Sequence, residues 1–305
     1  MKLYKYVILM ITVLCCIVVN ILAARERKIR VVASLFPLYD FARNIGGERA
    51  DVALLLPPGV EPHDYEPKAG DILKINSADI FIYTGKFMEP WVTEVLKGIE
   101  NPGLEVIDAS RGIPLMAISV QENNGRTRET VDPHIWLDFG NDLTIVDTIL
   151  TGFIKKDPSQ RQYYEQNALA YKAKLDSLDK EYARELGRCQ KNVFVEGGHY
   201  TFGYLAKRYH LRYISAVGIS PNAEPAPSDL VRLSEIVKKY GLKYVYFEEL
   251  ESPKIAQTIA RETGAQLLEL NGAHNLTRNE MKGGATFISL MEENLKNLKI
   301  GLQCR

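Results

Sequence analysis

Residues 51–67 read Asp51-Val-Ala-Leu-Leu-Leu-Pro-Pro-Gly-Val-Glu-Pro-His-Asp-Tyr-Glu-Pro67. The apolar run at the start of this stretch is typical of a buried strand, and the remainder is a turn-rich loop. Prolines on both sides restrict the backbone around His63, so its imidazole is held on a stiff platform. A buried strand that ends in such a loop predicts a ligand-binding edge of a parallel sheet.

The same alternation extends on both sides of this stretch, from Lys28 to Asp108. Apolar runs separated by helix-like segments predict βα units and a parallel sheet. The strand-like runs are Val31–Leu35, Val52–Leu56, Ile80–Tyr83 and Leu104–Ile107, and the helix-like segments are Tyr39–Ile45, Lys68–Asn76 and Pro90–Ile99. A polar stretch, Gln121–Thr130, follows and is interpreted as a surface loop.

The middle of the chain has a helical pattern instead. Beyond Pro158, apolar residues recur at steps of three and four as far as Gly187, which predicts a helix of about 30 residues and roughly 45 Å. The strand and helix alternation then restarts. We therefore predict an α/β fold of two lobes, each a mostly parallel sheet flanked by helices, joined by one long backbone helix. The predicted segments are residues 29–140 for the N-terminal lobe, 141–189 for the linking helices and 190–305 for the C-terminal lobe.

Composition places the chain among ordinary globular proteins. It has 305 residues, of which 46% are apolar and 25% charged, and Lys+Arg and Asp+Glu are equal at 38 each. A balanced charge gives no reason to expect a nucleic-acid partner. Specificity must therefore come from a local site.

Residues 1–24 have the features of an export segment. Lys2 and Lys5 precede an apolar run that ends before Arg25, and this pattern predicts a signal peptide, with an uncleaved N-terminal anchor as the alternative. Cys15 and Cys16 raise the further alternative of lipid attachment, although Leu14 is larger than the residue expected there. The rest of the chain is predicted to lie outside the cytoplasm, in the periplasm or on the outer face of the cell membrane.

Two cysteines, Cys189 and Cys304, lie beyond the export segment. In an oxidising compartment they could form one disulfide, and two unpaired thiols are the alternative. Neither belongs to a CxxC pair, so a redox motif or a structural zinc site is not expected.

Histidine is rare in the chain, with five residues, and three of them occupy similar settings. His63 follows a strand-like run, His134 follows Pro133, and His199 follows a strand-like run and two glycines. We expect these loops to converge on a cleft between the lobes. Three neutral imidazoles suit zinc, manganese, iron, copper or nickel and leave room for a further ligand.

The fourth ligand is expected near the end of the last strand of the second lobe. His274 is the first choice because imidazole is a better ligand than the carboxamide of Asn271, and Glu269 falls within the predicted strand. Water is the remaining alternative. Asp64, Glu66, Asp132, Asp138 and Glu196 are interpreted as solvated or capping carboxylates, some of which could orient the ligand imidazoles. His210 is interpreted as a surface residue.

Six stretches carry a resemblance to a known family. The chain resembles the zinc- and manganese-binding solute-binding proteins of ABC transporters, of the cluster A-I or zinc-uptake type, some of which are described as adhesins. The stretches are Val32-Ala-Ser-Leu-Phe-Pro-Leu-Tyr-Asp, Gly59-Val-Glu-Pro-His-Asp-Tyr-Glu-Pro, Asp132-Pro-His-Ile-Trp-Leu-Asp, His199-Tyr-Thr-Phe-Gly-Tyr-Leu-Ala-Lys-Arg-Tyr, Gly218-Ile-Ser-Pro-Asn-Ala-Glu-Pro-Ala-Pro and Glu249-Leu-Glu-Ser-Pro-Lys-Ile-Ala.

The resemblance implies three metal ligands, His63, His134 and His199, and a membrane permease as partner. The family's usual fourth ligand, an aspartate, falls near Asn271 in this chain, which leaves either water or His274 for that position. The family's zinc importers often carry a histidine-rich insert before Asp132, and this chain has none there.

We therefore expect a monomer that binds a divalent transition metal, zinc before manganese, and delivers it to an ABC permease rather than acting as an enzyme. A zinc-dependent hydrolase with Glu196 or Asp138 as its base, and a surface adhesin, are the alternatives. No HExxH sequence, nucleophile elbow or phosphate-binding glycine loop favours the hydrolase.

Overall fold

The computed structural model describes residues 27–121 and 127–305. The export segment predicted for residues 1–24 and part of the polar stretch after Gln121 lie outside the described residues. Within these two ranges, no helix has both the length and the apolar character needed to cross a membrane.

The first lobe is built on a four-stranded parallel sheet with the strand order β2-β1-β3-β4. A helix lies between each pair of consecutive strands, so the predicted βα units are confirmed. The loop with His63 leaves the carboxyl end of β2. The strands are β1 (Ile29–Ala33), β2 (Ala50–Leu54), β3 (Ile80–Tyr83) and β4 (Glu105–Asp108), and the helices are α1 (Phe36–Gly46), α2 (Ala69–Ser77) and α3 (Val92–Lys97).

The polar stretch predicted as a loop is partly strand. β5 (Ala117–Gln121) pairs antiparallel with β6 (Thr127–Val131), so the loop prediction is wrong for residues 127–130. The β-branched residues Thr127, Thr130 and Val131 favour an extended backbone, although their polar neighbours hide the usual apolar alternation. The order of the chain predicts that His134 lies where the last strand of the first lobe should be. Instead, His134 follows this hairpin and precedes a 3-10 turn, so that prediction is wrong.

Two helices connect the lobes, α4 (Phe139–Lys156) and α5 (Arg161–Leu186). With 26 residues, α5 is about 39 Å long, slightly shorter than predicted. It packs against α1 of the first lobe and against the C-terminal helix of the second, which confirms its joining role. Its buried residues are Leu186 and those of the predicted apolar stripe, Tyr164, Ala168, Tyr171, Leu175, Leu178 and Tyr182.

The second lobe repeats the architecture of the first. Its sheet is parallel, with the strand order β10-β9-β7-β8. The strands are β7 (Val193–Glu196), β8 (Arg212–Ser215), β9 (Tyr244–Glu248) and β10 (Gln266–Leu270), and the helices are α6 (Gly203–Arg208), α7 (Pro227–Tyr240), α8 (Lys254–Thr263), α9 (Arg278–Gly283) and α10 (Phe287–Gly301). In the sequence, Pro227 before Ser228 and Gly241 after Tyr240 predict the start and the end of a helix. The helix α7 begins at Pro227 and ends before Gly241, whose φ of 57° lies in the left-handed region that glycine favours.

One hydrophobic core passes through both lobes. Phe41 of α1, Leu175 of α5 and Leu298 of α10 are fully buried members of the same cluster. A smaller cluster, which includes Val195 and Val245, covers the other face of the second sheet. The predicted two-lobed α/β fold is therefore confirmed, while the exact segment boundaries at residues 140 and 189 stay a prediction.

The two cysteines whose pairing the sequence left open form a disulfide. Cys189 lies just beyond α5, and Cys304 is the penultimate residue of the chain. The bond therefore ties the chain terminus to the end of the long helix.

Candidate metal site

Three histidine loops meet between the lobes, as predicted. The Nε2 atom of His134 lies 3.2 Å from that of His63 and 3.3 Å from that of His199. A zinc ion bound tetrahedrally at its usual distance from nitrogen separates two such ligand atoms by about 3.3 Å. All three imidazoles are therefore spaced as ligands of one ion.

Each loop fixes its histidine by local structure. His63 lies in a 3-10 turn, Pro62–Asp64, and its backbone amide donates to the carboxylate of Glu61 at 3.3 Å. The backbone amide of His134 donates to Asp132 at 3.0 Å. His199 follows the carboxyl end of β7, where the amide of Gly197 donates to the carbonyl of Tyr246 at 2.8 Å.

The three imidazoles differ in exposure. His134 and His199 are fully buried, whereas His63 is half-buried and lines a cleft of about 840 Å³. Asp64 and Phe87 of the first lobe and Ser220 of the second also line this cleft. Its two sides are joined by a hydrogen bond of 2.6 Å from the Nδ2 atom of Asn222 to Asp64. Of the three imidazoles, His63 is the one that lines this cleft.

Carboxylates orient two of the imidazoles through their Nδ1 atoms. The Nδ1 atom of His134 lies 2.8 Å from Asp132, and that of His199 lies 3.0 Å from Glu248 and 2.5 Å from Glu251. An imidazole that donates its Nδ1 proton to a carboxylate presents Nε2 to the metal. Among the carboxylates considered from the sequence, Asp132 has this role.

Glu248 and Glu251 were missed as orienting residues by the sequence analysis. Both lie at the carboxyl end of β9, the same sheet edge from which His199 emerges. Glutamates directly after a predicted strand were the available sign, since parallel strands bring their carboxyl ends together. Glu196, in contrast, is buried and accepts a hydrogen bond of 2.8 Å from Tyr213.

The remaining carboxylates are occupied elsewhere or face solvent. Asp138 caps α4 through the amide of Gly140 at 2.7 Å and pairs with Arg208 at 2.6 Å. Asp64 and Glu66 are exposed. His210 is exposed as well, in agreement with its interpretation as a surface residue.

His274 lies beside the three imidazoles and outside their triangle. Its ring centroid is 6.3 Å from that of His199, and its side chain is buried. Neither ring nitrogen has a hydrogen-bond partner among the described residues, although Nε2 lies 3.3 Å from the carboxylate of Glu61. A buried imidazole whose ring nitrogens make no hydrogen bond and are paired only with a carboxylate is available to a ligand.

The other two residues considered for the fourth position are differently placed. The Nδ2 atom of Asn271 donates to Glu280 at 2.8 Å, and its Oδ1 atom accepts from the amide of Ala273 at 2.8 Å. Glu269 lies within β10 and is exposed. Both side chains are thus engaged or directed away from the imidazoles.

Electrostatics divide the histidines into two pairs. Burial lowers the pKa of His63 and of His134 well below the ordinary value, and the neighbouring imidazoles lower it further. Burial also opposes the charged form of His199, but Glu248 and Glu251 raise its pKa well above the ordinary value. For His274, burial is likewise outweighed, and Glu61, Glu249 and Glu248 raise the pKa to about 9.

Comparisons with known proteins identify the family of the chain. The family model described as "ZnuA: Zinc-uptake complex component A periplasmic" matches residues 31–301. The high-affinity zinc uptake system protein ZnuA of Bacillus subtilis is 37% identical over 281 residues, which cover 90% of this chain and 88% of that protein. The zinc-binding protein AdcA of Streptococcus pyogenes is 36% identical over 290 residues, but these cover 56% of its length.

Solved structures are similar as well. The Zn(II)-bound ZnuA-like domain of AdcA from Streptococcus pneumoniae has a TM-score of 0.77 and 36% identity, covering 90% of this chain and 99% of that one. The laminin-binding protein Lmb of Streptococcus agalactiae, described as bifunctional with adhesin and metal-transporting activity, has a TM-score of 0.80 and 28% identity, covering 90% and 100%. Because the family model matches residues 31–301 and the ZnuA protein of Bacillus subtilis aligns with 90% of this chain, the chain belongs to the ZnuA family of periplasmic zinc-uptake components.

Proposed function

We propose that this protein captures zinc outside the cytoplasm and delivers it to the permease of an ABC transporter. The observation that carries the proposal is the spacing of the Nε2 atoms of His63, His134 and His199, 3.2 Å and 3.3 Å, which suits one tetrahedral ion. The family is a component of an uptake complex, so zinc is the cargo and the protein is not an enzyme.

We propose His274 as the fourth ligand. Its buried ring nitrogens lack hydrogen-bond partners within the described ranges, and its neighbour Glu61 supplies negative charge beside the ion. Four nitrogen donors favour zinc over manganese, because manganese prefers oxygen ligands. The orienting carboxylates Asp132, Glu248 and Glu251 offset the charge of a buried divalent ion.

Export of the chain and delivery of the ion are part of the same proposal. We propose that residues 1–24 direct export, that the chain acts as a monomer, and that a membrane permease takes up the ion from the cleft beside His63. The long α5 helix packs against both lobes and disfavours a wide hinge motion. The permease would then detect small shifts of the loops around the cleft.

The test is zinc binding by the wild type and by the triple variant His63→Ala, His134→Ala, His199→Ala. We expect one tightly bound zinc per wild-type chain and none in the triple variant, measured by elemental analysis after dialysis. His210→Ala, which removes an exposed histidine, is the matched control and is expected to bind like the wild type. Unchanged stoichiometry in the triple variant would reject the site.

An adhesin is retained as a second candidate function because of the likeness to Lmb. The two functions give different results in a deletion strain. Zinc-limited growth that requires the protein, with normal surface attachment, would favour uptake alone. Normal growth with reduced attachment would favour the adhesin.

A further inference from the structure

We propose that Asn275 is a positioning residue that fixes the His63 loop of the first lobe against the His274 loop of the second. The inference rests on the proposed function, since it concerns how the metal site is held together. Asn275 is fully buried and follows His274 directly in the chain.

The side chain of Asn275 crosses from one lobe to the other. Its Nδ2 atom donates two hydrogen bonds, to the carbonyl oxygen of Pro57 at 2.9 Å and to that of Val60 at 2.8 Å. Its Oδ1 atom accepts from the amide of Leu276 at 2.8 Å. Both N–H donors of the amide group are used, and its oxygen accepts one hydrogen bond.

A backbone contact supports the same junction. The amide of Gly59 donates to the carbonyl of Leu276 at 2.7 Å. The loop of residues 57–60 and the loop of residues 275–276 are therefore joined by three hydrogen bonds, two from Asn275 and one from Gly59. Because residues 60 and 63 are close in sequence, this junction fixes the approach of His63 to the second lobe.

The His274 loop is held to the first lobe at two further points. The indole nitrogen of Trp136 donates to the carbonyl of Gly272 at 2.8 Å, and the amide of Phe36 donates to the carbonyl of His274 at 3.1 Å. Neither of these bonds reaches the His63 loop. Asn275 thus connects the lobe-two loop to the segment that carries His63 by two hydrogen bonds, beside the ion pair of 3.3 Å between His274 and Glu61.

An asparagine is required by this geometry. Two carbonyl oxygens face the Nδ2 atom, and only a group with two N–H donors satisfies both. An aspartate of the same shape would place a carboxylate oxygen against the two carbonyls. An alanine would leave them without this donor.

The consequence is a site formed before the ion arrives. Ligands held in place need less ordering when the metal binds, which raises affinity and slows release. Changes in groups that orient metal ligands typically lower affinity by about 10-fold to 100-fold. We expect a loss of that size when Asn275 is replaced.

The experiment measures zinc affinity by competition with chelators of graded strength, and zinc release by stopped-flow transfer to excess chelator. The variants are Asn275→Ala, the near-isosteric Asn275→Asp, His63→Ala and the double variant Asn275→Ala, His63→Ala. Asn297→Ala is the matched control, because Asn297 likewise donates to a backbone carbonyl, that of Glu269 at 3.0 Å, away from the histidines.

We expect Asn275→Ala and Asn275→Asp to bind zinc about 10-fold to 100-fold more weakly, with faster release, while Asn297→Ala matches the wild type. In the His63→Ala background, Asn275→Ala should have an effect below about threefold, because its action passes through His63. A merely structural role would weaken binding equally in both backgrounds and would overturn the proposal.

Two other results would also overturn it. One is wild-type affinity and release in both Asn275 variants. The other is failure of both variants to fold in the absence of zinc, which would make Asn275 a folding residue. A wild type that binds no zinc, or a His63→Ala variant that binds normally, would instead reject the proposed function itself.

Discussion

At the scale of single residues, the four histidines of the site differ in charge although all are buried or half-buried. His63 and His134 are neutral at pH 7 because burial lowers their pKa, whereas carboxylates keep His199 and His274 protonated. Zinc must displace a proton from each charged imidazole that it binds. The sequence identifies the histidines by their loops, but not this division, because Glu248 and Glu251 reach His199 only in the folded structure.

Zinc affinity is therefore expected to depend on pH even at pH values well above the ordinary pKa of histidine. Ordinary pKa values predict weakening only below about pH 6.5. With the pKa of His274 near 9 and that of His199 also raised, affinity should fall as the pH drops from 8 to 7, by about tenfold per unit for each proton displaced.

Competition titrations at several pH values check this expectation, and calorimetry in buffers of different ionisation enthalpy counts the protons released. A slope near two would mean that both charged imidazoles bind the ion. A flat profile between pH 7 and pH 8 would contradict the expected displacement of protons.

The fourth ligand is tested by replacing His274. We expect His274→Ala to lower zinc affinity about 100-fold or more, because a ligand contributes more than the groups that orient it. Glu269→Gln is the control, since Glu269 is exposed in β10 and should bind zinc like the wild type. Wild-type affinity in His274→Ala would instead favour three histidines and water.

At the scale of elements, the sequence predicts the helices and strands whose local residue pattern agrees with the contacts that they make in the fold. The apolar stripe of α5 and the proline and glycine at the ends of α7 are local features, and both helices form as predicted. The β5–β6 hairpin was missed because β6 is polar and is ordered by pairing with β5. The predicted position of His134 was wrong for the same reason, because that histidine follows β6.

The disulfide is an element-scale link whose removal should destabilise the fold and leave the site intact. The bond joins residues separated by 115 positions. Closing a loop of that length restricts the unfolded chain and stabilises the folded one by about 4 to 5 kcal/mol. Cys189→Ser with Cys304→Ser should lower the free energy of unfolding by that order, measured in guanidinium chloride.

Zinc affinity should change less than about threefold in the same variant, because the backbone amides of the two cysteines bond the last turns of α5 and α10, at Leu186 and Lys299. A loss of stability below about 1 kcal/mol would contradict the chain-entropy argument.

A second prediction at this scale concerns Asp142 in α4. Its carboxylate is fully buried without a hydrogen-bond partner among the described residues, and burial together with Asp138 raises its pKa well above the ordinary 3.8. Between pH 3.8 and its raised pKa, the carboxyl group of Asp142 keeps a proton in the folded chain that it has lost in the unfolded chain. Stability should therefore fall as pH rises, by about 1.4 kcal/mol per unit.

The isosteric variant Asp142→Asn lacks this proton. Relative to the wild type, it should gain about 2 to 3 kcal/mol of stability between pH 5 and pH 7, measured by denaturant unfolding at both values. An equal pH dependence in the two proteins would mean that Asp142 is not protonated in the folded state.

At the scale of the whole molecule, two similar α/β lobes place their histidine loops at one cleft. His63 comes from the first lobe, His199 and His274 come from the second, and His134 lies between the hairpin and the linking helices. Because α5 packs against both lobes and Asn275 joins their loops, the site is held by contacts across the lobes. The two-lobed plan was predictable from the alternation of strands and helices. The contacts across the lobes were not, because they join residues far apart in the chain, 158 positions for Asn222 and Asp64 and 218 for Asn275 and Pro57.

Anomalous diffraction at the zinc edge from zinc-loaded crystals tests the central claim most directly. One anomalous peak is expected between the lobes, about 2.0 to 2.1 Å from the Nε2 atoms of His63, His134 and His199. A peak coordinated by other residues, or zinc bound by the imidazoles of one lobe only, would contradict the account.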